Sequence, residues 1–248
     1  MHDANFWTLF RQVAVRQHCE PQAQVNLDRP DQGIVAASTI APDGDFRLLC
    51  IAASDVGGWP ARLVDSYNRG KDLITTYAGT EGWPFAPQIY WTVEPMEVSG
   101  VALQTFSIVL SIQTDRLDTH PEIVVRSSLP ADEVLRVSVA EDELLVDSHA
   151  DGELRIDPQA TACCQMWRLP GDELTYAELM PRGDFRRLSV ERTKHLATSH
   201  WELFSDFLEK GVIRRARLQA IFLPRDNDVQ LAAECCQLIE RRPLPLTA

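Results

Sequence analysis

The sequence of 248 residues lacks the short motifs that most often reveal an enzyme. It contains no G-x-G-x-x-G, no G-x-x-x-x-G-K-[ST] and no G-x-S-x-G, so nothing in it predicts nucleotide binding or α/β-hydrolase chemistry. It also has no apolar run near the roughly 20 residues that a transmembrane helix needs. We therefore expect neither a cofactor nor a membrane partner.

Cysteine is scarce, and its spacing does not match the usual metal-binding patterns. No C-x-x-C occurs among the six cysteines, which are Cys19, Cys50, Cys163, Cys164, Cys235 and Cys236. Neighbouring cysteines on a strand or helix point to different faces, so the two adjacent pairs do not predict a metal site. The amino terminus shows no secretory signal pattern. These features predict reduced, mostly buried thiols and a cytoplasmic protein.

Positive charge is in short supply, since 24 Lys and Arg face 36 Asp and Glu, a net charge of −12. This balance argues against nucleic acid as a partner, because phosphate neutralisation needs a clustered basic surface. The charges are unevenly spread: residues 115–157 carry a net −8 and residues 181–225 a net +5. Both regions are interpreted first as solvated surface, and alternatively as surfaces that pair within the fold or between the subunits of a homo-oligomer.

Alternating and β-rich runs separated by turn residues fill most of the chain. The predicted strands include 33–40, 46–52, 63–67, 73–77, 88–93, 101–113, 122–127, 134–139, 143–147, 153–157, 164–169, 174–179 and 187–191. From residue 121 onward they begin about every ten residues, the rhythm of an antiparallel meander. The sequence therefore predicts a mainly β fold, an antiparallel β-sandwich that forms a single domain over residues 1–248.

Three segments near the ends of the chain need separate interpretation. Phe6 to Val15 is predicted as a strand rather than a helix. Trp201 to Leu223 is predicted as two long strands around a turn at Glu209-Lys210-Gly211. The tail has helical spacing over about residues 228–241, and Asp226-Asn227-Asp228 is interpreted as its cap rather than as a calcium loop.

Aromatic residues concentrate in one segment: seven of the 19 lie between Trp59 and Trp91. The same segment carries a charged turn, so Arg69, Lys71, Asp72 and Trp83 are predicted to line a ligand cleft with flat apolar and polar groups. Strand alternation places the neighbouring Tyr90 and Trp91 on opposite faces. The competing interpretation is that Trp83 packs in the sheet core.

Two residues are candidates for acid–base catalysis. His200 lies beside Trp201, and histidine is the usual proton-transfer group near neutral pH. Glu209 follows an apolar run at a predicted turn, where a carboxylate acid or base needs a second ionisable group across the ligand. For both residues, an ordinary solvated position is the alternative.

Three runs of the sequence resemble pieces of bacterial β-rich proteins of unassigned function. They are Asp65 to Tyr77, Pro87 to Trp91 and Phe207 to Ile213. The layout resembles the galactose-mutarotase-like supersandwich, a fold of stacked antiparallel sheets, and the resemblance implies sugar binding. Epimerases of that fold use a histidine acid and a glutamate base on facing strands, and no histidine of this sequence matches their pattern.

Three functional hypotheses follow from these observations. The first is binding of a small carbohydrate or similar polar ligand. The second is a sugar-modifying enzyme, of epimerase or hydrolase type, that uses a carboxylate. The third is a structural or assembly protein whose acidic and basic surfaces pair between subunits.

Overall fold

The computed structural model describes residues 7–16, 22–37, 46–53, 57–140, 143–149, 152–156, 163–171, 173–204 and 206–242. Within these ranges the chain forms two antiparallel sheets of nine strands each and one α-helix. The prediction of a mainly β, antiparallel sandwich with a C-terminal helix is therefore confirmed. No helix in these ranges has the length and apolar character needed to cross a membrane.

The first sheet is built mostly from the amino-terminal strands. Its members are β1 (Thr8–Phe10), β2 (Val13–Arg16), β3 (Gln22–Asn26), β4 (Ile34–Ala37), β5 (Phe46–Ala53), β10 (Ile123–Pro130), β13 (Gly152–Ile156), β16 (Arg187–Thr193) and β17 (Leu196–Leu203). Their order across the sheet is β1-β2-β3-β4-β5-β10-β17-β16-β13. Strands from three distant parts of the sequence thus lie side by side in its second half.

The second sheet contains the longest strands. Its members are β6 (Arg62–Arg69), β7 (Asp72–Ala78), β8 (Phe85–Val98), β9 (Val101–Thr114), β11 (Glu133–Ala140), β12 (Glu143–His149), β14 (Cys163–Arg168), β15 (Leu174–Met180) and β18 (Arg214–Pro224). Their order is β12-β11-β14-β15-β18-β9-β8-β7-β6. The two central strands, β9 and β18, pair in register over nine residue positions.

The main hydrophobic core lies between the two sheets. Alternation along each strand turns one set of side chains inward, and large aromatic residues fill this layer. Trp83, Trp91, Trp167 and Trp201 are among its most deeply buried members. Edge-to-face ring contacts, such as Phe185 against Trp201 with centroids 5.1 Å apart, add specific geometry to the burial.

Helix α1 (Asp228–Arg241) covers part of the outer face of the second sheet. Its apolar side packs on β11, β14, β15 and β18 and forms a second, smaller core. The guanidinium of Arg217, on β18, donates hydrogen bonds to the carbonyl oxygens of Ile239 and Arg242. These bonds satisfy acceptors at the helix C-terminus, where a cation is also favoured by the helix dipole.

The prediction that Asp226-Asn227-Asp228 caps the helix is only partly correct. Asn227 has a left-handed backbone with φ of 62° and makes no side-chain cap. The Asp228 carboxylate accepts a hydrogen bond from the Val229 amide at 2.7 Å, but most of its bonds go to side chains of the second sheet. An aspartate that looks like a cap in sequence therefore ties the helix to the sheet.

The prediction of two long strands around Glu209-Lys210-Gly211 is wrong. β17 ends at Leu203 and β18 begins at Arg214, and the two strands belong to different sheets. The chain between them crosses from one sheet to the other, so Phe207 does not belong to a strand. That side chain is 41% exposed, whereas the adjacent Leu208 is buried.

Two other predictions concern the β structure of the amino terminus and the state of the cysteines. The described part of residues 6–15 is β structure as expected, but it forms two short antiparallel strands, β1 and the start of β2, joined by a turn at Arg11 and Gln12, and not one strand. Of the four cysteines whose side chains are described, Cys164, Cys235 and Cys236 are buried and Cys50 is half-buried, and none forms a disulfide. Cys19 and the side chain of Cys163 lie outside the described residues.

Candidate functional site

Polar side chains from three neighbouring strands meet on the outer face of the first sheet. In the strand register, Arg126 of β10 lies opposite His200 of β17, and His200 lies opposite Ser189 of β16. Their neighbours along the strands, such as Val125 and Trp201, are buried in the core. Because side chains alternate along a strand, Arg126, His200 and Ser189 project together toward solvent.

A groove of about 580 Å³ surrounds this row, and we call it the histidine groove. It is lined by Val124, Arg126, Gly152, Ser189, Glu191, Arg192, His200 and Glu202. This volume lies within the range of ligand pockets, which run from about 300 to 1,000 Å³. Two arginines, two glutamates and one histidine give the groove donors, acceptors and a proton-transfer group in one place.

Hydrogen bonds hold several of these groups in position. Glu202 accepts a bond from Arg187 at 3.2 Å, and Arg192 donates to the carbonyl oxygens of His149 at 2.9 Å and Asp132 at 2.6 Å. By contrast, the Nε of Arg126 is buried and has no hydrogen-bond partner among the described residues. That atom is closed off from solvent, but Arg126 as a whole is half-buried and lines the groove, so the residue contributes positive charge to the groove wall.

A buried polar network lies beneath the histidine groove, between the sheets. Glu178 of β15 is fully buried, and it accepts hydrogen bonds from Tyr176 Oη at 2.8 Å and Trp201 Nε1 at 2.6 Å. Ser127 Oγ lies 3.1 Å from the same tyrosine hydroxyl and accepts a bond from the Leu49 amide at 2.9 Å. The network links β5, β10, β15 and β17, so it fixes two of the strands that carry the groove.

Burial raises the pKa of Glu178 above its ordinary value of 4.5, and the hydrogen bonds from Ser127, Trp201, Ser199 and Tyr176 offset part of that rise. Desolvation disfavours the ionised form of any carboxyl group in such a position. The unfolded chain therefore releases this proton at a lower pH than the folded protein does. Stability from this group is complete below the unfolded pKa and is lost as the pH rises through the folded pKa.

We predict that Glu178→Gln removes this pH dependence. As the pH rises from the unfolded pKa of Glu178 through its raised folded pKa, the free energy of unfolding of the wild type should fall relative to that of the variant. Urea unfolding at a series of pH values measures the difference, and Glu209→Gln corrects for the change in net charge because Glu209 is exposed. Parallel pH curves for wild type and Glu178→Gln would contradict the prediction.

Three of the four predicted ligand residues lie close together, but far from the histidine groove. Arg69, Lys71 and Asp72 flank the β6–β7 turn at one edge of the second sheet. The Arg69 guanidinium lies 5.5 Å from the centre of the Tyr90 ring, and Asp72 accepts a hydrogen bond from Thr92 at 2.7 Å. Lys71 forms an ion pair with Glu94.

The fourth predicted ligand residue, Trp83, does not join this cluster. It lies in the β7–β8 connection at the opposite end of β7, only 2% exposed. Its ring packs against Phe85 and Trp59 with centroid distances of 5.0 and 5.8 Å. The cleft expected from sequence is therefore not formed by these four residues, because Trp83 takes the competing core position.

The two predicted catalytic residues have different surroundings. His200 is half-buried and lines the histidine groove with two carboxylates. Glu209 is exposed in the crossing between β17 and β18 and does not line that groove. A separate groove of about 670 Å³ includes its neighbours Lys210 and Gly211, together with turn residues such as Glu81, but Glu209 itself does not line it.

Sequence reasoning missed the partners of His200, which are Arg126, Glu191 and Glu202. Each occupies an outward position of a predicted strand, so alternation assigns each one separately to a wet sheet face. Their meeting depends on β10, β16 and β17 being neighbours, and no local pattern specifies that order. Within the described residues, no group of three histidine, cysteine, aspartate or glutamate side chains is arranged to hold a metal ion.

Comparison with protein-family models found no match, and comparison with curated protein sequences found none. One similar solved structure is a Klebsiella pneumoniae protein described provisionally as an aldose 1-epimerase, with a TM-score of 0.37 and 8% sequence identity. The match covers 69% of this chain and 60% of that one, less than two thirds of its length. Neither a fold family nor a residue role is transferred from that protein to this chain.

Proposed function

We propose that the protein binds a small carbohydrate or a similar polar, hydroxyl-rich ligand in the histidine groove. The observation that supports this most is the convergence of Arg126, His200 and two glutamates in one groove of about 580 Å³. Sugar hydroxyls both donate and accept hydrogen bonds, and this set of side chains offers both functions. Arg126 and Arg192 add positive charge and donor capacity to this lining.

A second candidate is an enzyme that modifies the bound sugar. His200 shares the groove with Glu191 and Glu202, so a proton donor and a proton acceptor can face one ligand. In this proposal His200 takes the acid–base role, and one of the two glutamates supplies the carboxylate that the hypothesis requires. Glu209 has no such enclosed position.

We expect thermal-shift screening with a panel of mono- and disaccharides to identify a stabilising ligand. A sugar at a hundredfold excess over its Kd stabilises the folded state by about 2.7 kcal/mol. Arg126→Ala and His200→Ala should each weaken binding about tenfold, because each removes a hydrogen bond to a polar or charged group. His195→Ala is the matched control, since His195 is exposed and lies outside the groove.

Two results would contradict carbohydrate binding in this groove. One is the absence of stabilisation by every sugar of the panel, and the other is equal affinity in wild type and both groove variants. For the enzyme candidate, polarimetry and product analysis on the bound sugar are the measurements. A turnover that survives His200→Ala unchanged would exclude the acid–base role of His200.

A further inference from the structure

A second charged groove lies at one end of the sandwich, where the chain passes between the sheets. The β15–β16 connection and the start of the β17–β18 crossing meet there around a space of about 360 Å³. We call it the arginine groove, and it is lined by Arg182, Gly183, Asp184, Phe185, Arg186, Phe204, Asp206, Arg214 and Arg215. The lining therefore includes four arginines and two aspartates.

One carboxylate holds two of these arginines in place. Asp206 accepts from Arg186 at 2.8 Å through one oxygen and from Arg214 at 3.2 Å through the other. Neutralisation of two cations by a single anion leaves a surplus of positive charge at this point.

Two further carboxylates lie at the groove. Asp184 accepts a hydrogen bond from the Arg217 amide at 2.8 Å, and Glu240 accepts one from the Arg182 amide at 3.0 Å. Together with Asp206 they set three carboxylates against the four arginines of the lining, so the local charge stays positive. The side chain of Arg182 is exposed and makes no ion pair or hydrogen bond with the described residues. The aromatic rings of Phe185 and Phe204 are buried at 3% and 6% exposure and form an apolar floor.

We propose that the arginine groove binds the oxyanion of a small phosphate ligand, either free phosphate or a phosphate monoester. Guanidinium groups suit this role because their planar forks bind phosphate oxygens through two parallel hydrogen bonds. The protein as a whole carries a net charge of −12 and repels anions, so an anion site needs a local positive surplus such as this one. The proposal is independent of carbohydrate binding in the histidine groove.

Calorimetric titration with inorganic phosphate, at ionic strength held constant with chloride, tests the proposal. We expect saturable binding to the wild type and binding weaker by at least about tenfold in the double variant R186Q/R214Q. The matched control is Arg29→Gln, which removes an exposed, ion-paired arginine far along the chain from the groove. A parallel titration with glycerol 3-phosphate distinguishes a monoester ligand from free phosphate by which of the two binds more tightly.

The absence of saturable binding of both probes to the wild type would overturn the proposal, as would equal affinity in the double variant. If the double variant does not fold, Arg182→Gln replaces it. That exposed side chain supports no described contact, so its loss should leave the fold intact and weaken phosphate binding severalfold. Unchanged affinity in Arg182→Gln would then overturn the proposal.

Discussion

Replacement of Trp83 by alanine should lower the free energy of unfolding by about 3–5 kcal/mol, the usual cost of removing a large aromatic side chain from a core. Trp83 is 2% exposed and packs against two other aromatic rings. The main chain of the same connection is also closely packed, since a Cβ on Gly79 would lie 2.5 Å from the carbonyl oxygen of Trp83. Urea unfolding gives the measurement.

Phe10→Ala is the control for this prediction, because Phe10 is an aromatic residue of edge strand β1 and is 55% exposed. Its replacement should change the free energy of unfolding by no more than about 0.5 kcal/mol. A Trp83→Ala protein as stable as the control, but unable to bind a sugar that the wild type binds, would contradict the core assignment. It would instead return Trp83 to the ligand role predicted from the sequence.

Replacement of Asp228 by alanine should lower the free energy of unfolding by about 1.5–3 kcal/mol, because it removes charged hydrogen bonds and leaves the partly buried Arg168 with only its ion pair to Glu133. The Asp228 carboxylate accepts two hydrogen bonds from Arg168, at 3.0 and 3.1 Å, and one from Thr175 at 2.7 Å. These contacts attach the first turn of α1 to β14 and β15. The cost should appear in urea unfolding near neutral pH.

The same prediction has a pH signature. Burial alone would raise the pKa of Asp228, but the bonds from Arg168 and Thr175 outweigh burial and lower it below 3.8. Stability from this carboxylate is therefore present above the unfolded pKa and is lost as the pH falls through the folded pKa. The difference between wild type and Asp228→Ala should shrink in that acid range.

Asp226→Ala provides the matched control, since Asp226 is exposed two residues before Asp228. If the two alanine variants have equal stability at neutral pH, then the contacts of Asp228 with the sheet contribute little and the prediction fails.

Local patterns in the sequence predict the strands well and their arrangement poorly. The expected run 101–113 lies within β9, and the charged turn of the aromatic segment, around Arg69 and Lys71, joins the expected strands 63–67 and 73–77 as part of the β6–β7 hairpin. Both depend on alternation and turn chemistry within a few residues. The same patterns do not predict the crossing after β17. An apolar run such as Trp201 to Leu208 looks the same in sequence whether the chain continues a strand or leaves the sheet.

The candidate site shows the same limit. Chemistry alone selects His200, whereas Arg126 lies 74 positions earlier and meets it only through the pairing of β10 with β17. Charge composition predicts part of the arginine groove, because the net positive stretch 181–225 contains all four of its arginines. The sequence locates the charge but not the pairing of Arg186 and Arg214 on one aspartate.

The position of β17 and β18 has a consequence for the order in which the protein can assemble during synthesis. Both strands come late in the sequence, yet each occupies an interior place in its sheet, β17 between β10 and β16 and β18 between β15 and β9. Until residue 224 has left the ribosome, β18 is not available to fill its place between β15 and β9. The edges of β9 and β15 that pair with β18 stay without a partner until then. Pairing of β9 with β18 then closes a loop of about a hundred residues, a slow step for a folding chain. Completion of the second sheet is therefore a late event that waits for the synthesis of β18.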